Sequence, residues 1–123
     1  MASLTATITL NTTDATSDAL KISNVKTLTT GIPAINIARL EVATGAATNI
    51  LTAAANTSIT YVYLKNTATD TSHILTVKDD AGNAFADLGS GESMFLPVKA
   101  AVGLECQATG ANITVEYGYW TKG

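Results

Sequence analysis

Apolar and polar residues alternate along most of this chain. In "LTATITL", Leu4, Ala6, Ile8 and Leu10 fall on one side and Thr5, Thr7 and Thr9 on the other, the period of two of a strand with one covered face. "NTTDATSD" then gathers small polar side chains that satisfy turn backbone, as a loop or short linker. Residues 1–18 therefore read as an N-terminal strand or arm with its linker, ahead of a domain over 19–123. Across 19–28 the apolar parity changes between Ile22 and Val25, which predicts a bulged strand. "GIPAINIARLEVATG" fits two readings: Pro33 opening a helix, or a bent strand carrying Ile35, Ile37, Leu40 and Val42 with a parity slip at Ala38–Arg39. "ATGAATN" reads as a turn.

The alternation is clearest over 58–98. Strands are predicted at 59–65, 74–78 and 93–98, with "NTATDTS", "DDAGN" and "GSGE" as connections. "VGLECQA" and "NITVEYGYW", divided by "TGA", complete the set. Short strands at this spacing, with no apolar stripe of helical period, define an all-β chain. The expected fold is a single-domain antiparallel β-sandwich of the jelly-roll type. Within 58–66 both parities are apolar: Val62 and Leu64 on one side, Ile59, Tyr61 and Tyr63 on the other. A two-layer sandwich covers only one face of each sheet, so the second face calls for a neighbouring subunit or a loop of the same chain.

Composition narrows the class of protein. At 123 residues one core is feasible, burying roughly two-thirds of the unfolded surface. Charged residues make up only 14% against about 25% in average globular chains, so much of the surface is Thr, Ser, Asn and backbone, suited to packing against other subunits. The net charge is −3, and the seven basic residues are scattered singly, leaving no stripe to neutralise phosphates; nucleic acid is not an expected partner. "MASLTATITL" lacks a basic leader region, and nowhere do 18 apolar residues run together, so synthesis in the cytoplasm and no membrane association are expected. The single cysteine, Cys106, has no intrachain partner for a disulfide.

Candidate chemistry is sparse. The one histidine, His73, stands where a strand begins, and neither an orienting partner nor a nucleophile is evident beside it in sequence. Cys106 shares parity with Val102, Leu104 and Ala108 and is expected in the core. "DDAGNAFAD" places Asp79, Asp80, Asn83 and Asp87 close together, but Ala81 occupies a position where a calcium loop requires an oxygen ligand, so a hairpin turn is expected. "GSGES" matches neither the hydrolase elbow nor a phosphate-binding loop. Asn11, Asn56 and Asn112 each open an Asn-x-Ser/Thr triplet, as chance allows in a Thr-rich chain. Tyr117 and Tyr119 share parity with Ile113 and Val115 and belong with the core, leaving Trp120 as the one ring available to a sugar. No catalytic residue, metal or cofactor is predicted. The candidate interface residues are Leu4, Ile8, Tyr61, Tyr63 and Trp120.

The C-terminal half also carries a resemblance. "YVYLKN" leads to a strand-turn-strand, then to a "L-x-x-G-E-x-x-x-L-P" element at Leu88, Gly91, Glu92, Leu96 and Pro97, then to "GLECQA" and a tyrosine-rich "VEYGY" strand. This pattern resembles the small β-sandwich head decoration or cement proteins of tailed bacteriophages; the first half matches only in its Thr-rich strands. The resemblance implies a non-enzymatic virion protein on the capsid exterior, bound to the major capsid protein or other virion subunits, and a homo-oligomer, with a trimer favoured. Fibre, neck or tail structural proteins and carbohydrate-binding β-sandwich modules are the alternatives.

Overall fold

The computed structural model describes residues 2–14, 20–31, 36–53, 56 and 60–122. Ten strands follow one another: β1 (Ala2–Thr12), β2 (Leu20–Thr30), β3 (Asn36–Val42), β4 (Thr48–Leu51), β5 (Thr60–Asn66), β6 (Ile74–Asp79), β7 (Ala84–Leu88), β8 (Ser93–Val98), β9 (Leu104–Thr109) and β10 (Ile113–Thr121). The described residues contain no helix. Pro33 and Ile35, on which the helical alternative turned, lie outside the described residues, as does Ile59.

β3 to β10 form two antiparallel four-stranded sheets, ordered β3-β10-β5-β8 and β4-β9-β6-β7. That order is the double Greek key of a jelly roll, with consecutive strands alternating between layers at both ends. The expected fold is therefore the observed one. Inward residues of both sheets meet in one dry core: Val42, Val62, Leu64, Ile113, Val115 and Tyr117 from the first sheet, Leu51, Leu75, Val77, Leu104, Cys106 and Ala108 from the second. Valine, isoleucine and leucine supply most of it, and the β-branched ones fill a pleated surface with little further loss of freedom.

Three local expectations are corrected. β2 pairs with β1 in unbroken register from Ala2↔Thr30 to Thr12↔Leu20, so it holds no bulge. The parity change simply places Val25 on the opposite face from Ile22, and both are exposed. β2 belongs to this separate two-stranded hairpin and not to either sandwich sheet, while the boundary expected at 18/19 lies outside the described residues. β3 likewise runs in even register against β10, with Ala38, Leu40 and Val42 turned inward and Arg39 outward; no slip occurs. β4 had no counterpart in the pattern. It is four residues long and shifts register between Asn49 and Leu51, which buries both Ile50 and Leu51.

Two fully buried asparagines hold the ends of β5. Asn66 donates from Nδ2 to the carbonyls of His73 (3.1 Å) and Leu88 (2.9 Å), and its Oδ1 accepts the Ala68 N–H. Its backbone exchanges bonds with the Gly91 and Glu92 turn. At the other end Asn56 donates to the carbonyls of Lys99 and Val102 and accepts the Thr60 hydroxyl at 2.7 Å. Each side chain thus ties together two carbonyls from segments distant in sequence or across a turn. Asn56 also receives the Ala101 N–H, which holds Ala101 at φ 65°, a left-handed conformation that alanine rarely adopts.

Candidate interaction surface

The strand register fixes which side chains share the outer face of the β3-β10-β5-β8 sheet. Tyr61 lies between Trp120 and Pro97, and Tyr63 between Gly118 and Phe95. Tyr61 and Phe95 stack with ring centroids 5.9 Å apart and planes 17° from parallel. Gly118, opposite Tyr63, contributes no side chain. The result is a continuous aromatic surface of Tyr61, Tyr63, Phe95 and Trp120 on the side of the sheet away from the core.

The cover for this surface comes from the same chain. The β1-β2 hairpin lies over it, anchored where Gly31 N–H donates to the Thr121 carbonyl at 2.8 Å and Thr30 bridges to Lys122. Cross-strand partners share a face, so Leu4, Ala6, Ile8 and Leu10 stand beside Leu28, Lys26, Asn24 and Ile22. Leu4 and Ala6 line an open pocket of about 160 Å³ together with Tyr63, Phe95 and Trp120. Farther along, the same face is unmatched: Ile8, Leu10 and Ile22 are 49%, 53% and 43% exposed. A groove of about 540 Å³ runs between β1 and the β8 edge, bordered by Ile8, Leu10, Met94 and Phe95.

The structure thus brings four of the five predicted interface residues together within one chain: Leu4 against Tyr63 and Trp120, with Tyr61 adjacent. Ile8 alone stays in solvent. Trp120, expected to be open, is half-buried beneath the hairpin, and Tyr61 is buried, so among the described residues no row of open rings offers a flat platform to a sugar. Sequence reading passed over Phe95, although its place in the alternating β8 set it beside Tyr63.

Electrostatics at this surface are mild. The Tyr63 hydroxyl donates to Glu116 Oε1 at 3.3 Å, and Glu116 Oε2 meets Arg39 at 3.3 Å. Burial, then the Glu116 charge and this bond, raise the Tyr63 pKa above its ordinary value. The Arg39–Glu116 pair is largely exposed and contributes little to stability.

The other candidate groups occupy turns or the core. His73 Nε2 lies 3.7 Å from Asp70 Oδ2, a carboxylate partner that sequence spacing did not suggest. Asp70 is engaged in its own turn: it accepts the Ser72 N–H and hydroxyl, which hold its carboxyl below the usual range, with His73 adding the smallest part. Ser90 donates its hydroxyl to the Ala68 carbonyl. "DDAGN" is the β6-β7 hairpin turn, in which Asp79 accepts the N–H groups of Asn83 and Ala81; the Asn83 bond chiefly lowers its pKa. Gly82 supplies the positive φ of 87° that this turn requires. Among the described residues no three His, Cys, Asp or Glu side chains gather to hold a metal. Cys106 is wholly buried, and desolvation followed by the Glu105 charge pushes its thiol up to about 12, so it stays protonated in the core.

Comparison of the chain with family models, curated proteins and solved structures finds no match.

Proposed function

We propose that this chain is a virion structural protein, a decoration or cement subunit that attaches in many copies to the outer surface of a phage head and reinforces contacts between shell subunits. The observation that carries the reading is the hairpin: an N-terminal arm packed on the jelly-roll body at its base while its far half presents Ile8, Leu10 and Ile22 to solvent. A weakly charged body with such an arm suits attachment by many modest contacts, whose sum through avidity is large. Jelly rolls recur in viral shells and in lectins, and the covered aromatic face favours the first over the second. The resemblance of the 61–120 segment to head decoration proteins points the same way.

Gold-labelled antibody against the chain, applied to intact particles from the source culture, tests this. Label repeated over the head surface is the expected result. Label at a tail tip, or particles without label, overturns it.

A further inference from the structure

We infer that β1 is a self-association edge: two copies of this chain pair antiparallel through β1, joining their hairpins into one four-stranded sheet. β1 runs for 11 residues, and among the described residues only β2 pairs with it, so its other edge is open. Natural edge strands are guarded by charge, proline, bulges or short length. β1, "ASLTATITLNT", has no charged residue and no proline, and its register with β2 is unbroken. β2 is guarded, carrying Lys21 and Lys26, and Lys26 points to the apolar face beside Ala6. The hairpin is therefore open on one side only.

The occupant follows from how the apolar residues are distributed. Residue 7 is the centre of β1, so full antiparallel overlap about a two-fold axis sets Thr7 against Thr7 of the second copy, Ala6 against Ile8, and Leu4 against Leu10. An axis normal to the hairpin sheet keeps both apolar faces on the same side. Leu10, exposed in the single chain, then lies beside the Leu4 that packs over the second copy's Tyr63 and Phe95, and the relation is reciprocal. The bare half of each arm lands on the covered half of the other. The groove between β1 and β8, lined on the β8 side by Ser93, Met94 and Phe95, gives the incoming strand room. This pairing is independent of shell attachment, and it differs in symmetry from the trimer that the resemblance implies.

Sedimentation equilibrium of the full chain tests it with Thr7→Lys and Thr7→Glu. Thr7 is exposed, so both variants keep the fold, as unchanged Trp120 near-ultraviolet dichroism verifies. Wild type is expected at twice the chain mass. Each charged variant is expected at the mass of one chain, because like charges directly opposite across strands repel, and an equimolar mixture of the two should return to twice that mass. A wild-type mass of one chain at every soluble concentration, a mass of three chains, or variants as associated as wild type overturns the proposal. Antibody labelling of heads is read separately, so shell attachment and self-pairing fail independently.

Discussion

β5 and β1 carry similar alternating patterns and meet opposite fates. β5 lies between β10 and β8, with Val62 and Leu64 in the core and Tyr61 and Tyr63 beneath the hairpin, so both of its faces are covered. Among the described residues β1 pairs with β2 alone, and it has one face in solvent and half of its apolar face bare. Alternation decides which side chains share a face, but a strand's place in its sheet decides whether that face is buried. A two-stranded hairpin is marginal in water, so the arm depends on its contact with the aromatic sheet.

Substitution of matched residues gives the largest test of this contrast. Leu64→Ala opens a void at a site with no exposure and is expected to lower stability by about 2–5 kcal/mol. Ile8→Ala, measured at dilution where copies are separate, should stay within about 0.5 kcal/mol. Urea unfolding compares the two, and equal losses would break the distinction between body and arm.

The anchors of β5 come next. Asn66→Ala strands the His73 and Leu88 carbonyls and is expected to lower stability by about 2–3 kcal/mol, with Asn56→Ala close behind it. A silent change at either site in the same unfolding assay would show that its loops hold without the asparagine.

These asparagines mark the limit of what the sequence made legible. The sandwich is readable because apolar residues alternate along much of the chain and turn residues punctuate the segments. β4 is not, since four residues with a register shift leave no period to see. Asn56 looked like a chance triplet because its partners, Lys99 and Val102, are more than 40 residues away. Alternation in β5 calls for a cover over Tyr61 and Tyr63 but does not choose between a neighbour and the chain itself. Only the path of the hairpin, set by the Gly31–Thr121 and Thr30–Lys122 contacts, decides for the chain. The parity change in β2 predicts a bulge, but in a strand paired without a break it only sets Ile22 and Val25 on opposite faces, both exposed.

Backbone conformation separates two turn glycines more finely. A Cβ on Gly110, at φ +95°, would stand 2.7 Å from the Ser72 carbonyl oxygen, whereas at Gly82, φ +87°, it meets open space. Gly82→Ala is expected to cost about 1 kcal/mol from the left-handed conformation alone, and Gly110→Ala roughly 1–3 kcal/mol more because backbone must shift. Thermal unfolding orders the two; a Gly110 variant as stable as the Gly82 variant would mean that the β6 entry loop gives way freely.

The smallest effect lies at the seam between body and arm. Tyr63 faces the hairpin, and its pKa is raised first by burial and only then by Glu116. The folded state therefore keeps this proton to higher pH than the unfolded chain, whose tyrosine has the ordinary value of 10.0. By linkage, the associated stability is complete below that value and is lost as pH rises from it through the folded pKa. Glu116→Gln removes the neighbouring charge, so the Tyr63 pKa should fall yet remain above the ordinary value, because the larger cause, desolvation by burial, is untouched. Difference absorbance of tyrosinate, with Tyr63→Phe to assign the transition, measures both shifts. A return to the ordinary value in Glu116→Gln would assign the whole effect to the carboxylate and leave burial of the ring no part in it.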